Sequence, residues 1–169
     1  AIDSVLSQTL SDFEFLICDD GSSESFYDWL RAYCKKDARI RLLRNPKNRG
    51  LAAALNRCLK YARGDYIARM DADDISKKER LEKQVRFLTQ HPQYAFAGCC
   101  AGMFGEHGVW GERRMEPYPN NESFLQTSPF IHPSVVFRKD ALTAVCGYNE
   151  SKAVLRAEDY ELFLRLYAK

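Results

Sequence analysis

The chain has 169 residues, of which 46% are hydrophobic and 28% charged, with a formal net charge of +2. This is a globular composition, long enough to bury a core within one domain. The small net charge and scattered basic residues exclude a nucleic-acid footprint, and no apolar run approaches the roughly 20 residues that span a bilayer.

The sequence opens with AIDSVLSQTL, without Met, and reads at once as an amphipathic helix carrying Ile2, Val5 and Leu6. Phe13 to Asp20 (FEFLICDD) is a β-rich apolar run that ends in two acids and a GSS turn. In SESFYDWLRAYCKKD, Phe26, Trp29, Leu30 and Tyr33 recur at helical spacing, which predicts a helix with Trp29 in the core. RIRLLRN predicts a second strand, closed by Asn45-Pro46. GLAAALNRCLKYARG predicts a helix with Leu51, Ala54, Leu55, Cys58, Leu59 and Ala62 on one face and Gly64 as its C-terminal glycine. DYIARM predicts a third strand.

Next come Asp71, Asp73 and Asp74, and then an S-x-x-E capping box, Ser76 and Glu79, opening a helix with Leu81, Val85 and Leu88 on one side. YAFAGCCAGMF predicts one buried strand. Gly105 to about Pro133 has no regular pattern and predicts a long functional or mobile loop around Trp110. PSVVFR predicts a strand, KDALTAVCG a short helix ending at Gly147, and AEDYELFLRLYAK a last amphipathic helix. Strands alternating with helices predict an α/β sandwich with a mainly parallel sheet, whose ligands lie beyond the carboxyl ends of the strands. The helix at the very start leaves such a sheet without its usual opening strand, so the sequence reads as a fragment. None of the six cysteines forms a C-x-x-C pair, which predicts small buried thiols in a reducing compartment rather than disulfides or a zinc site.

The acids at the strand ends carry the chemistry. Two carboxylates about 5 Å apart at an effective dielectric of about 20 repel by roughly 3 kcal/mol, so their clustering needs a compensating partner. An EF-hand is excluded, because Ile75 and Ser76 stand where a ligand and a glycine are required. A phosphoacceptor site at Asp19-Asp20 leaves the second cluster without a role. A hard divalent cation, Mg2+ or Mn2+, carrying a diphosphate fits both clusters and cancels the repulsion. Single acids of this kind, Asp19 and Asp74 among them, also serve as helix caps or turn formers.

VLSQTLSDFEFLICDDGSSE, NRGLAAALNRCLKYARGDYIARMDADD, HPSVVFRK and AEDYELFLRL together resemble successive motifs of the family 2 glycosyltransferases. The resemblance covers nearly the whole chain. It implies the three-layer GT-A fold of nucleotide-diphospho-sugar transferases, with the first strand missing. It also implies metal-dependent inverting transfer of a sugar from a nucleoside-diphosphate sugar, a UDP-sugar first, to a glycan or lipid-linked acceptor. By the same resemblance Asp20 contacts the donor base, Asp71 the ribose and Asp73 the metal, with Asp74 extending the motif. Asp159 matches the catalytic base, with Glu158 beside it. His132 matches a histidine bordering the acceptor side, although an ordinary packed histidine fits the sequence equally well. Trp110 and Tyr118 could stack on sugar rings, and packing of Trp110 onto the body is the competing reading.

The expected organisation is one catalytic domain over 1–169, truncated at both ends, with a nucleotide-sugar half to about 90 and an acceptor half from about 91. The expected role is cell-surface polysaccharide or lipopolysaccharide assembly in the cytoplasm at the inner face of the plasma membrane. Peripheral membrane attachment would then run through parts outside this sequence. A sugar nucleotidyltransferase and a non-catalytic nucleotide-sugar-binding module are the alternatives.

Overall fold

The structure, a computed structural model, describes residues 1–169. Helix α1 (Ile2–Leu6) leads to β1 (Phe15–Asp20), α2 (Glu24–Cys34), β2 (Ile40–Asn45), α3 (Leu51–Tyr61) and β3 (Tyr66–Ala68). Then follow α4 (Arg80–Gln90), β4 (Phe96–Ala97), β5 (Ala101–Gly105), β6 (Gly108–Arg113), α5 (Asn121–Gln126), β7 (Val136–Arg138), α6 (Lys139–Ala144) and α7 (Glu158–Tyr167). Short 3-10 turns cover His132–Ser134 and Lys152–Val154. No helix is long and apolar enough to cross a membrane.

Strand β7 organises the core. Val135, Val136 and Phe137 are fully buried. Because side chains alternate along an extended chain, Val136 packs with Leu81 and Leu88 of α4, whereas Val135 and Phe137 face Leu142 of α6 and Leu162, Phe163 and Leu166 of α7. Helices thus cover both faces of the sheet, as a three-layer α/β sandwich requires. Burying a side chain the size of Phe137 or Phe163 stabilises the fold by about 2–3 kcal/mol. The sheet joins the two halves of the chain, because β7 lies between β3 and β4.

The strand pairing is mixed. β1 and β2 are parallel, while β7 runs antiparallel to both β3 and β4, and β5 and β6 form an antiparallel hairpin. The parallel character expected of the whole sheet is therefore confined to β1–β2. β1 pairs only with β2, and β3 only with β7. A cavity of about 690 Å³, lined mostly by apolar side chains, is bordered by Phe13–Leu16 on one side and Tyr66–Met70 on another, with Leu55 and Leu59 of α3 and Leu81 of α4 on its walls.

Several local expectations are corrected by tertiary context. Trp29 is 55% exposed and Phe26 48%, so the aromatic stripe of α2 is not core; these rings stack with Tyr33 along the outer face at 5.6 Å centroid spacing. Leu51 is likewise exposed, being the first residue of α3. Helix α3 stops at Tyr61 with Ala62 extended, and Gly64 does not take the left-handed conformation, because the Arg63 amide is drawn into a short bond to the Glu14 carboxylate.

The capping box does not form. Helix α4 begins at Arg80, Glu79 pairs with Lys83, and the Ser76 hydroxyl is buried without a partner. Gln8, far away in sequence, supplies the cap: its Oε1 accepts from the Leu81 amide at 3.1 Å while its Nε2 donates to Lys77 O at 2.9 Å.

YAFAGCCAGMF splits into β4 and β5. The break falls where Gln84 of α4 donates to Ala97 O and Ser134 O, both at 2.8 Å, and the Cys99 amide turns to Ser134 Oγ. The segment expected to be irregular contains β6 and α5, the latter capped by Asn120 in a reciprocal capping box. All six cysteines are free, but only Cys34 is buried as expected; Cys18, Cys58 and Cys99 are half-buried and Cys100 and Cys146 exposed.

The cavity between β1 and β3 generates a stability prediction. A strand entering it would give both edges a partner and cover apolar wall. A chain extended at its N-terminus by an apolar strand should therefore unfold at higher urea concentration than residues 1–169 alone. Equal midpoints would show that the cavity walls need no such cover.

Candidate functional site

The first acidic pair divides its work. Asp19 is buried, its carboxylate 3.2 Å from Arg44 Nε on β2, and it accepts from the Ser22 amide at 3.3 Å; it shapes the turn after β1. Arg44 also grips Glu24 at 2.7 and 2.9 Å and lies over the Tyr27 ring at 4.0 Å. Asp20 faces the loop before α3. Its carboxylate accepts from Asn45 Nδ2 at 2.7 Å, from the Arg49 amide at 3.1 Å and from the Gly50 amide at 2.8 Å. The next residue, Gly21, has φ +83°, and a Cβ there would stand 2.5 Å from the Asn48 nitrogen. Only glycine permits that approach, so the loop Lys47–Gly50 is pinned against the end of β1.

The second cluster follows β3. The backbone leaves the strand at Arg69, whose amide donates to Val135 O at 2.9 Å and whose carbonyl accepts from Arg80 Nη1 and Nη2 at 3.2 Å. The Arg69 side chain is 4% exposed and its Nη1 sits 2.5 Å from Asp71 Oδ1. That contact is an ion pair rather than an aligned hydrogen bond, since neither Nε nor Nη1 finds an acceptor in good geometry. Arg80, itself largely buried, also donates to Pro133 O at 2.9 Å. Two guanidinium groups therefore stand behind three carboxylates. Asp74 is partly buried, and desolvation followed by the charges of Asp71 and Asp73 raises its pKa above the ordinary value. The repulsion inside the cluster is only partly relieved.

No three His, Cys, Asp or Glu side chains converge closely enough to hold a metal by themselves. The donors nevertheless fit a hard divalent cation that is bound only in part by protein. Asp73 is exposed and engages no other side chain, and the strained Asp74 would gain from added positive charge. The remaining ligands would have to come from phosphate or water.

The third group lies where β7 and α7 begin. His132 is buried, its Nε2 2.8 Å from the Tyr148 hydroxyl and its ring edge-on to Phe163. Burial, aided by the nearby Arg69 charge, pushes the His132 pKa down to about 3, so the imidazole is neutral. Burial also raises the Tyr148 hydroxyl, with Arg69 opposing and the charges of Asp159 and Glu158 reinforcing the rise. Tyr148 is fixed through its backbone: its amide donates to Asn56 Oδ1 and its carbonyl accepts from Asn56 Nδ2, both at 2.8 Å. Gly147, at φ +68°, lets Asn56 Oδ1 come this close, because a Cβ would meet it at 2.6 Å.

Glu158 and Asp159 form the first turn of α7, with one Glu158 oxygen buried and unpartnered. Arg156, just upstream, holds φ +69°, which costs about 1 kcal/mol or more in a residue with a Cβ. That strain sits at the point where the chain turns the two acids inward.

The structure thus pairs Asp71 with Arg69 and His132 with Tyr148, and the charges of Arg69, Glu158 and Asp159 all act on the Tyr148 hydroxyl. Asp20 bonds instead to the loop before α3, and Trp110 stands 70% exposed on the β5–β6 hairpin, away from the body. Packing of Trp110 onto the body is therefore not observed. Asp71, assigned to a ribose by resemblance, is paired with Arg69. Sequence reading missed Arg69, Asn56 and Tyr148 as members of the site. Arg69 alone left a signal, as the basic residue adjoining the acidic cluster.

The model of the family described as Glycosyl transferase family 2 matches residues 1–146. The chain is 39% identical over 168 residues to EpsE of Bacillus subtilis (strain 168), which is named as a glycosyltransferase; the match takes in 99% of this chain and 60% of EpsE. It is 36% identical over 172 residues to the amylovoran biosynthesis glycosyltransferase AmsE of Erwinia amylovora, covering 98% of this chain and 62% of AmsE. The chain thus spans about 60% of the length of these relatives. Among solved structures, the mannosyltransferase PcManGT from Pyrobaculum calidifontis, in complex with GDP-Man and Mn2+, superposes with a TM-score of 0.72 at 18% identity. That superposition covers 98% of this chain and 46% of PcManGT, and it shows a shared GT-A α/β fold.

The neutral His132 makes stability pH-dependent. The unfolded chain takes up a proton near pH 6.5 that the folded chain refuses until about pH 3. This contribution is fully present above about pH 6.5 and is lost as pH falls, by up to about 1.4 kcal/mol per pH unit. The urea midpoint should drop more steeply between pH 6.5 and 4 in the native chain than in His132→Gln, which keeps a partner for Tyr148 but does not titrate. Parallel slopes would contradict a buried neutral imidazole.

Proposed function

This chain belongs to glycosyl transferase family 2, and from that membership we propose that it carries the donor-binding and catalytic part of an inverting, metal-dependent enzyme. The enzyme would transfer a sugar from a nucleoside-diphosphate sugar to an acceptor hydroxyl. The observation that supports the reading is that Arg69, paired with Asp71 after β3, and the acids that open α7 all act by charge on Tyr148, the hydrogen-bond partner of His132. The cluster after β3 serves the donor and the two acids of α7 the acceptor.

In this reading Asp20 orders the loop that borders the nucleotide base, Asp71 lies toward the ribose, and Asp73 holds Mn2+ or Mg2+ with Asp74 beside it. The cation, when bound, supplies Lewis-acid stabilisation of the negative charge that develops on the departing diphosphate. Asp159 takes the proton from the attacking acceptor hydroxyl, for which it must come within about 3 Å. Attack from the face opposite the leaving group inverts the anomeric centre. Glu158 lies beside the base, and its unpartnered oxygen adds negative charge there.

His132 is buried and bonded to Tyr148, so we assign it to supporting the acceptor side rather than to touching the acceptor. Trp110, exposed on its hairpin, offers a ring face to a glycan. PcManGT with GDP-Man and Mn2+ supports a metal-bound sugar nucleotide as donor, and we assign a UDP-sugar as the first to test. The name of AmsE supports a role in polysaccharide assembly, with a glycan or lipid-linked acceptor. This carries the expectation of a cytoplasmic protein at the inner face of the plasma membrane, attached through other parts of the whole protein.

Isothermal titration with UDP, GDP and dTDP, with Mn2+ and in EDTA, tests donor binding. One nucleotide should bind more tightly with Mn2+, and Asp73→Ala should remove that difference; equal affinities in Mn2+ and EDTA for the native chain would count against the metal. In the full-length enzyme, Asp159→Asn should leave folding and nucleotide affinity nearly unchanged while transfer falls by at least about 10²-fold. A folded Asn variant with near-native transfer would move the search for the base to Glu158.

A further inference from the structure

Arg69 is a charged side chain buried at a cost. Its guanidinium is always charged, its side chain is 4% exposed, and two of its nitrogens lack an aligned acceptor. A buried charge of this kind is retained only against a specific counter-charge. The counter-charge is Asp71, at 2.5 Å. The backbone that carries the arginine is fixed. Its amide is tied to Val135 O of the β7 segment, and its carbonyl is held by both terminal nitrogens of Arg80. The same guanidinium acts electrostatically on His132 and Tyr148 as well.

We propose that Arg69 is a positioning residue: it pins Asp71 to the buried side of the cluster by their ion pair, so that Asp73 is left free to meet a cation–diphosphate group. The inference rests on the reading of the site given above and deepens it. Two features of the geometry follow from it. Asp71 is half turned from solvent toward Arg69, whereas Asp73, two residues on, is exposed and engages no other side chain. With Arg69 absent, Asp71 would swing outward as a second free carboxylate beside Asp73 and Asp74. The cluster would then be more repulsive and its oxygens less ordered. Lysine would not substitute fully, because an ammonium on a flexible stem lacks the planar fork that fixes direction.

The test is a double-mutant cycle with two readouts. Arg69→Met, Arg69→Lys, Asp71→Asn and the Arg69→Met/Asp71→Asn double variant are compared by nucleotide titration, with Mn2+ and in EDTA, and by urea unfolding without metal. We expect Arg69→Met and Asp71→Asn each to weaken Mn2+-dependent nucleotide binding about 10-fold or more. The double variant should lose no more than the worse single one, and Arg69→Lys should fall between native and Met.

Should Arg69→Met not fold, Arg69→Lys against Asp71→Asn completes the same comparison. A folded Arg69→Met with native Mn2+-dependent affinity, or losses that simply add in the double variant, would overturn the proposal. A purely structural arginine would lower the urea midpoint and leave the binding ratio between Mn2+ and EDTA intact. If the native chain shows no Mn2+-dependent binding, the functional reading fails. The metal-free unfolding cycle then decides: non-additive midpoints support Arg69 as the residue that holds Asp71, and additive midpoints overturn it.

Discussion

The double-sided burial of one short segment, Val135 to Phe137, is the constraint on which the rest of this structure hangs. Its alternating side chains close two cores at once, against α4 on one face and α6–α7 on the other. The polar backbone of the same segment then has to be satisfied inside the protein. Val135 O takes the Arg69 amide, Pro133 O takes Arg80, and Ser134 O takes Gln84. The first two of these bonds fix Arg69 and Arg80, which stand behind the acidic cluster, and the third ties α4 to the same segment. The hydrophobic core and the candidate site are therefore one construction, with apolar packing setting the positions and buried hydrogen bonds conveying them to the carboxylates.

Charge is distributed in the site according to solvent access. Asp19, buried, and Asp71, partly exposed, each have an arginine beside them, Arg44 and Arg69. Asp73, at the surface, has none and faces solvent. Asp74 lies between the two situations, and its raised pKa records the residual cost. His132 shows the same rule from the other side. Buried near a fixed cation, it gives up its proton and keeps a single hydrogen bond to Tyr148. The proposed chemistry uses this division, because a carboxylate that must meet a cation has to be the one not already neutralised by the protein.

Sequence reading recovered what depends on neighbours along the chain. FEFLICDD and RIRLLRN are apolar runs between turn residues, and both became strands. Leu81, Val85 and Leu88 at helical spacing became the inner face of α4, while the helix expected to end at Gly147 stops at Ala144 and leaves Gly147 in the turn beyond it with φ +68°. Failures came where two local signals competed or where a remote residue intervened. Ser76 and Glu79 have the spacing of a capping box, but Gln8 reaches the same helix end across the fold and Glu79 prefers Lys83. Trp29 has the periodicity of a core residue, yet nothing packs over that face of α2. Periodicity reports that a stripe exists and not whether another element covers it.

The clusters Asp19-Asp20 and Asp71, Asp73 and Asp74 were legible because carboxylates gathered at strand ends are chemically conspicuous in any sequence, whereas Glu158 and Asp159 were singled out by resemblance to the family alone. The α/β class was legible too, since hydrophobic period and turn residues are local properties. Which acid is free and which is held could not be read that way. That division depends on Arg69 being buried against Val135, sixty-six positions later (135 minus 69), on Asn56 meeting Tyr148 across the fold, and on His132 losing its proton to desolvation. Residue types and spacing determine which groups are available. Burial and long-range hydrogen bonding, which exist only once the chain is packed, decide which of those groups carry charge toward a ligand.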